Sequence, residues 1–188
     1  MPKIILASQS PRRKQLMELA ELEFDIVIAD VDETNPPGMP GEQVPEFLAR
    51  KKAAAIEHKV HDAIIIAADT VVLLDDEILG KPKDEANAIE ILQKLSGRMH
   101  QVVTGVCIQK GDKQVAFSTI TEVYFRSLTK EQIEHYVARY KPFDKAGAYA
   151  IQEWIGMVGI EKINGDYYNV MGLPIGQVVK RLNLDFKD

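Results

Sequence analysis

The sequence predicts an α/β fold, because strand-like and helix-like segments alternate along most of the chain. Its 188 residues are 46% hydrophobic and 27% charged, which is typical of a globular chain with one sizeable core. The chain contains no internal repeat, no low-complexity tract and no segment with the composition of a linker. We therefore expect a single domain over residues 1–188.

The N-terminal segment MPKIILASQSPRRK predicts a buried strand that runs into a helix. Residues 3–7 are apolar and rich in isoleucine, and Pro11 suits the first turn of a helix over 12–20. Three consecutive cations follow Pro11, at a helix end where they oppose the helix dipole unless an anion binds among them. The turn is therefore either a phosphate site or a solvated basic turn.

The next elements surround a stiff loop. A second strand is expected at 24–29, and the loop 31–41 carries three prolines and two glycines, as a surface loop over a cleft would. Alanine, lysine and glutamate dominate 43–58, which favours a helix. The strongly apolar run 63–74 then predicts a buried strand.

Turn and capping residues divide the rest of the chain. We expect a turn at 75–77, a helix from the cap Asp84 to Leu95, and a hairpin of strands 101–109 and 114–125. Thr129 and Gln132 have the spacing of a capping box, which predicts a helix that ends near residue 140. The remaining segments are a loop-like stretch at 142–152, apolar or aromatic stretches at 157–163 and 167–171, and a closing helix over 173–182.

Charge and cysteine content exclude several classes of function. A net charge of -5 argues against a general nucleic-acid or anionic-membrane surface, since those partners need a broad positive field. The one cysteine, Cys107, lies in an apolar run, so it predicts a buried core thiol in a reducing compartment. Because the sequence shows neither a signal segment nor a run of 18 apolar residues, we expect a cytoplasmic protein.

Asp69 is the polar residue that periodicity explains least. It interrupts the run AIIIAADTVVLL, where an unpaired buried carboxylate would cost several kcal/mol. It must therefore be paired, bound to a metal or placed at a cleft. A functional interpretation makes it a general base or a metal ligand, while a structural one lets it accept backbone N–H groups at a bulge.

Three further charged residues are candidates with weaker signals. Glu33 in the proline-rich loop could reach the same place as Asp69, although a solvated loop carboxylate is the commoner case. Lys52 on the second helix and Lys81 in the segment LGKP could each contact a phosphate oxygen. Taken alone, both are equally well explained as surface lysines.

The order of these features along one chain resembles the Maf family of nucleotide pyrophosphatases. The resemblance spans nearly the whole chain and rests on eight segments in family order: LASQSPRR at 6–13, VDE at 31–33, LARKKA at 48–53, AADTVV at 67–72, LGKP at 79–82, LSGRMHQVVTGV at 95–106, DKAGAYAIQ at 144–152 and GDYYNVMGLP at 165–174. It implies a mixed elongated β-sheet flanked by helices, with two lobes around a central cleft, similar to inosine triphosphate pyrophosphatases.

The resemblance also implies roles for nine residues. Asp69 becomes the general base or the carboxylate that organises a divalent metal, Mg²⁺ or Mn²⁺, with Glu33 assisting the metal. The polyphosphate grip would consist of Ser8, Arg13, Lys52 and Lys81. The positions that set substrate specificity would be Arg12, Thr70 and Gln152. The only small departure is Ala150, where glycine is frequent in the family.

Within the family, the segment DKAGAYAIQ resembles the branch that hydrolyses dTTP and UTP. The amide of Gln152 offers one donor and one acceptor, which match the O4 and N3–H edge that thymine and uracil share. The implied reaction is water attack on the α-phosphorus, which yields a nucleoside monophosphate and pyrophosphate. Activity on modified pyrimidine nucleotides is not decided by the sequence.

Two rival functions remain open from the sequence. One is a nucleotide-binding regulator of septum formation that acts through a protein partner. The other is a phosphomonoesterase with Asp69 as nucleophile, although the second aspartate that such enzymes usually carry two residues on is missing. A homodimer is also open, because the apolar faces of the hairpin suit either an interface or the core.

Overall fold

One seven-stranded mixed sheet organises residues 2–187, the part of the chain that the computed structural model describes. The strands are β1 (Lys3–Leu6), β2 (Phe24–Ile26), β3 (Ala63–Leu74), β4 (Glu77–Leu79), β5 (Met99–Lys110), β6 (Lys113–Phe125) and β7 (Ile160–Asn164). The α-helices are α1 (Pro11–Leu19), α2 (Val44–Glu57), α3 (Glu85–Leu95), α4 (Lys130–Tyr140), α5 (Trp154–Gly159), α6 (Tyr167–Met171) and α7 (Ile175–Asp185).

The strand order is β2-β1-β3-β5-β6-β7, and β4 also pairs with β3. Strand β1 is parallel to β2 and to β3, whereas every other pair is antiparallel. Helices connect the parallel strands, because a parallel pair needs a crossover. The predicted α/β class, with a mixed sheet flanked by helices, is confirmed.

Strand β3 has a gap along one edge. On that edge β1 pairs with residues 63–66 and β4 pairs with residues 72–74. Residues 67–71 lie between these two pairings, while β5 covers residues 65–73 on the opposite edge. Within this uncovered stretch Asp69 and Thr70 are partly exposed, and the other three residues are buried.

The hydrophobic core divides at the same gap, as the predicted two lobes require. Successive side chains of β3 point to opposite faces of the sheet, so each half of the strand contributes to two clusters. Before the gap, Ile64 and Ile66 pack with α1 and α7, and Ile65 packs with α2. After the gap, Val72 and Leu74 pack with α3 and α4, whereas Leu73, together with Val71 at the end of the gap, packs on the other face with the start of α2.

Local signals in the sequence predict most elements within a few residues. Asp84 accepts a hydrogen bond from the Asn87 amide at 2.8 Å, and the capping box of Thr129 and Gln132 is formed. Cys107 is fully buried as predicted, and burial raises the pKa of its thiol to about 11. In the part of the chain described here, no helix has the length and apolarity needed to cross a bilayer.

Two expectations about elements were wrong. Glu77 does not belong to the predicted turn, since it begins β4. The predicted strand 24–29 pairs only over Phe24–Ile26. The stretch 157–163, for which the sequence predicted only apolar or aromatic character, crosses from α5 into β7, and Gly159 is the last residue of the helix.

Gly105 allows α2 to lie close to the sheet opposite Asp69. The two residues are paired in register across β5 and β3. A Cβ at position 105 would lie 2.1 Å from the Glu46 nitrogen and 2.2 Å from the Pro45 carbonyl carbon, both of them backbone atoms of α2. The absence of a side chain therefore sets the height of α2, and of Lys52 on it, above the strand.

We expect Gly105→Ala to lower the free energy of unfolding by about 3 kcal/mol, the upper end for overpacking, because backbone cannot move aside. Urea unfolding at pH 7 measures the change. Gly176→Ala is the matched control, since a Cβ there has no neighbour within 4 Å and alanine favours the helix. Equal midpoints for Gly105→Ala and the wild type would contradict the proposed close packing.

Candidate active site

A cleft of about 440 Å³ opens at the gap in β3. Its floor includes Asp69 and Thr70, which are the two partly exposed residues in the middle of the otherwise buried strand. All nine residues that the sequence singled out line this cleft: Ser8, Arg12, Arg13, Glu33, Lys52, Asp69, Thr70, Lys81 and Gln152. They come from the β1–α1 turn, the first turn of α1, the loop before α2, α2 itself, β3, the loop after β4 and the segment 144–152.

Lys52 contacts two of the carboxylates that line the cleft, those of Asp69 and Glu33. Its Nζ donates to Asp69 Oδ1 at 2.7 Å and lies 2.7 Å from Glu33 Oε1. The side chains of Lys52 and Asp69 are only 11% and 14% exposed, so the pair lies within the protein and not on its surface. The predicted requirement that Asp69 be paired or placed at a cleft is thus confirmed in both respects.

The position of Lys52 has a simple origin in α2. Leu48, Lys52 and Ile56 are buried at intervals of four residues, so the lysine belongs to the stripe of the helix that packs on the sheet. This spacing of four residues between Leu48, Lys52 and Ile56 can be read from the sequence, and it separates Lys52 from lysines on the exposed face of the helix. The solvated alternative for Lys52 is therefore wrong.

Ion pairing stabilises the charged form of Glu33. The hydrogen bond from Lys52 lowers the pKa of Glu33 below its usual range, and the charges of Lys52, Lys81 and Arg13 act in the same direction against partial burial. Because the folded pKa is depressed, the stabilisation is present above the unfolded pKa of about 4.3 and is lost as the pH falls through the folded value.

We therefore expect Glu33→Gln to reduce stability at pH 7 and to have no effect once the carboxylate is protonated in the wild type. The difference should be under about 1 kcal/mol, because the Glu33 side chain is 55% exposed and solvent screens the pair. Urea midpoints of both proteins from pH 7 downward measure it. A difference that persists unchanged well below pH ~4.3 would contradict the ion pair.

Arg13 braces the opposite wall of the cleft. Its Nε donates to the Gly172 carbonyl at 2.7 Å and its Nη1 to the Ala68 carbonyl at 2.9 Å. Further bonds run from Nη1 to Ser8 Oγ at 3.2 Å and from Nη2 to Thr70 Oγ1 at 2.9 Å. Since a guanidinium carries five N–H donors, these four contacts leave one for a ligand. Burial lowers the pKa of Arg13, an effect that the charge of Asp69 opposes.

The hydroxyl of Ser8 is oriented by these contacts. Its oxygen accepts from the Ser10 amide and from Arg13, both at 3.2 Å. A hydroxyl oxygen has two acceptor positions, so the remaining capacity of Ser8 is its O–H donor. Ser8 is thus arranged to donate to an acceptor in the cleft, as an anion would require.

Thr70 is part of a hydrogen-bonded chain behind the cleft. Its Oγ1 accepts from Arg13 and lies 2.9 Å from Thr104 Oγ1. Thr104 in turn donates to the Asn169 carbonyl at 3.2 Å, and the Asn169 side chain donates to the Val102 carbonyl at 3.1 Å. These bonds connect β3 and β5 to α6, the helix that precedes Gly172.

The rim of the cleft carries the more accessible candidates. Arg12 Nη1 is 3.2 Å from Asp144 Oδ2, and Lys81 has no ion-pair partner among residues 2–187. The Gly147 amide donates to the Gly80 carbonyl at 3.2 Å, which ties the loop that carries Lys81 to the segment 144–152. Gln152, on the same segment, is exposed.

Sequence reasoning missed Asp144 and Lys145 as residues of the cleft. Lys145 is buried, and its Nζ lies 2.8 Å from Asp144 Oδ1. Both residues lie in the segment DKAGAYAIQ, but neither the charge pattern nor periodicity separates them from ordinary loop residues. With them, the cleft lining holds five basic and four acidic side chains, a local excess of one positive charge in a chain of net charge -5.

The carboxylates of the cleft fit a hard divalent cation that arrives with a polyanion. Across residues 2–187, no group of three or more His, Cys, Asp or Glu side chains could hold a metal unaided. Mg²⁺ commonly takes one or two carboxylates and completes its coordination with water and substrate phosphates. Glu33 and Asp69 match that smaller donor set, since both converge on the Lys52 ammonium.

These features define a class of protein: a mixed α/β protein with a partly buried cationic cleft, suited to a small polyanion. The Maf-like protein family model matches residues 3–184, and the chain belongs to the Maf family. The family expected from the eight sequence segments is confirmed.

The relatives cover most of the chain. Proteins named "dTTP/UTP pyrophosphatase" are 48% identical in Cytophaga hutchinsonii, covering 97% of this chain and 84% of the relative, and 47% identical in Phocaeicola vulgatus, covering 96% and 94%. The relative of the same name in Porphyromonas gingivalis is 49% identical over 92% of this chain and 89% of its own.

A more distant similarity connects the chain to a solved structure of the Staphylococcus aureus Ham1 protein. The TM-score is 0.49 at 17% identity, over 65% of this chain and 71% of the other.

Proposed function

We propose that this protein is a nucleoside triphosphate pyrophosphatase that hydrolyses dTTP and UTP to the monophosphate and pyrophosphate. The observation that carries the proposal is the contact of the Lys52 ammonium with two carboxylates, Asp69 and Glu33, each at 2.7 Å. The cleft that holds these three residues has further cations on its rim. The name of the relatives in three organisms supports the same reaction.

The cations of the cleft suit a triphosphate chain of about four negative charges. Lys81 would contact phosphate oxygens from the rim, since its ammonium is free of ion pairs within the described residues. Ser8 would donate its O–H to the same chain, and Arg13 would supply charge and its one remaining N–H. Lys52 would move from the carboxylates toward a phosphate oxygen as the substrate enters.

Asp69 would accept the proton of the attacking water. Its Oδ1 accepts from Lys52, and its Oδ2 takes part in no hydrogen bond with the described residues, so Oδ2 is the oxygen available to a water molecule. As the water oxygen bonds to the α-phosphorus, the bond from that phosphorus to the bridging oxygen breaks. The proton then resides on Asp69 Oδ2, and pyrophosphate leaves with the charge that the lysines and Arg13 neutralise.

Glu33 and Asp69 would hold the divalent cation, Mg²⁺ or Mn²⁺. When bound, the cation supplies neutralisation of phosphate charge and lowers the pKa of nearby water. The residues of this chain still perform the positioning, because Lys52 keeps both carboxylates within reach of one point before any ligand arrives.

Three residues would select the base. Gln152 would pair its amide with the O4 and N3–H edge of uracil or thymine, a pattern that cytosine does not present. Arg12 would contact the nucleotide from the facing rim, where Asp144 orients its guanidinium. The Thr70 hydroxyl is already bonded to Arg13 and Thr104, so Thr70 would act on specificity by holding these neighbours.

Product analysis of a nucleotide panel tests the proposal. Purified protein is incubated with dTTP, UTP, CTP and GTP in Mg²⁺ or Mn²⁺, and pyrophosphate and orthophosphate are measured separately. We expect pyrophosphate from dTTP and UTP. Orthophosphate as the first product would instead indicate a phosphomonoesterase, and tight triphosphate binding without turnover would indicate a nucleotide-binding regulator. EDTA should abolish turnover if the divalent cation takes part.

A further inference from the structure

One hydroxyl holds both ends of the turn that carries Gln152. The Glu153 amide donates to the Ala150 carbonyl at 3.1 Å, which closes a tight turn with Gln152 at its third position. The Ala150 amide donates to the Tyr136 hydroxyl oxygen at 3.1 Å, and the Tyr136 O–H donates to Glu153 Oε2. Tyr136 therefore connects the first and last residues of the turn through a single oxygen atom.

Tyr136 itself is held rigidly. Its side chain is fully buried on α4, and its ring stacks on Tyr140 with centroids 5.0 Å apart and planes 24° from parallel. Burial, and then the hydrogen bond to Glu153, raise the pKa of Tyr136, so the O–H remains available to donate at any assay pH. The turn of residues 150–153 is thus bonded to a buried side chain of α4 as well as to its neighbours in the loop.

The same turn is linked to Arg12 by a series of charges. Glu153 Oε1 is 3.7 Å from the Lys145 ammonium, which lies 2.8 Å from Asp144 Oδ1. Asp144 uses its other oxygen, Oδ2, to accept from Arg12 at 3.2 Å. Lys145 is buried in the cleft wall at 11% side-chain exposure and Glu153 is 23% exposed, so solvent screens their pair less than it screens the pair of Lys145 with Asp144, which is 57% exposed.

We propose that Tyr136, acting with Glu153 and Lys145, is a positioning residue for base selection, because it sets the turn of Gln152 and, through Asp144, the guanidinium of Arg12. Tyr136 is fully buried and is not among the residues that line the cleft. This inference rests on the proposed function, in which Gln152 and Arg12 select the base. Selectivity for the base thus depends also on Tyr136, which is buried behind the cleft wall.

The test is the selectivity of Tyr136→Phe, which removes the hydroxyl and keeps the stacked ring. We expect the ratio of kcat/KM for UTP to that for CTP to fall by about tenfold, equivalent to about 1.4 kcal/mol, mainly through a higher KM for UTP. The kcat for UTP should change by less than about threefold, since the reacting groups are untouched. Tyr140→Phe is the matched control and should keep the wild-type ratio.

Variants of the charge series separate positioning from a general loss of structure. Glu153→Gln keeps an acceptor for Tyr136 but removes the negative charge that faces Lys145. Lys145→Met removes the ammonium that pairs with both Glu153 and Asp144. Both should lower the selectivity ratio, whereas Lys145→Arg should retain most of it. An equal loss of kcat/KM for every nucleotide, or wild-type selectivity in folded Tyr136→Phe, would overturn the inference.

Equilibrium binding of UMP and CMP provides a readout that needs no turnover. The wild type should prefer UMP, and Tyr136→Phe should lose most of that preference. If neither dTTP nor UTP is hydrolysed but the preference is present and lost in the variant, the proposed function fails and the positioning role stands. If the wild type hydrolyses UTP and the variant keeps its preference, the positioning role alone is overturned.

Discussion

Asp69→Asn is expected to lower the turnover of dTTP and UTP by about 100-fold or more while the protein stays folded and still binds the triphosphate. Asparagine has nearly the same shape and keeps an oxygen that accepts from Lys52, so the contact of 2.7 Å can persist. It cannot, however, take a proton from water. Steady-state rates of pyrophosphate release and equilibrium binding of UTP measure the two effects.

Asp75→Asn is the matched control for this result. Asp75 follows the last residue of β3, is 76% exposed at the side chain and pairs with Arg98 outside the cleft. It should retain wild-type turnover, because an exposed ion pair contributes little. Near-normal turnover in Asp69→Asn would remove Asp69 from the catalytic role, and lost UTP binding would assign it to binding instead.

The anomaly at Asp69 shows what one sequence can predict about this site. A carboxylate in an apolar strand must have a partner, and that requirement holds whatever the fold. The partner's identity is nonlocal: Lys52 lies 17 residues away, and only the height of α2 above the sheet brings it to Asp69. Gly105 sets this height, yet the sequence offers no way to tell it from any other strand glycine.

Local chemistry predicts the helices better than it predicts the pairing of strands. Ser10, Asp84 and Thr129 cap helices through bonds to residues three positions on, so the whole signal lies in a few neighbouring letters. Strand β4 has three residues and one partner, so nothing local distinguishes it from a turn. The gap in β3 arises because β1 and β4 pair with different parts of that strand. The sequence of β3 alone therefore could not predict it.

The gap also explains why the cleft can combine opposite charges at short range. Residues of a covered strand point to two faces of the sheet, and groups on different faces cannot share a ligand. At an uncovered edge, Asp69 on the α2 face and Thr70 on the α1 face both border the same opening. The site thus uses both faces of one strand, with Lys52 serving one face and Arg13 the other.

Arg13→Lys is expected to lower the free energy of unfolding by about 3 kcal/mol and kcat/KM for UTP by about 100-fold. Arginine reaches four acceptors here, including the carbonyl oxygens of Ala68 and Gly172. A lysine ammonium is a single point with three donors, so it cannot bridge the same acceptors. At least one of the two carbonyls would be left buried without a partner, at a cost of about 1–3 kcal/mol.

Arg12→Lys is the matched control for the stability measurement, because the neighbouring guanidinium contacts only Asp144 among the described residues, and the Asp144 side chain is 57% exposed. Its free energy of unfolding should differ from the wild type by less than about 1 kcal/mol. A wild-type urea midpoint for Arg13→Lys would contradict the bracing role, since the lost bonds are to buried carbonyls. If the midpoint falls but kcat/KM does not, Arg13 stabilises the wall of the cleft without serving the reaction, and the phosphate charge must then be met by Lys52 and Lys81.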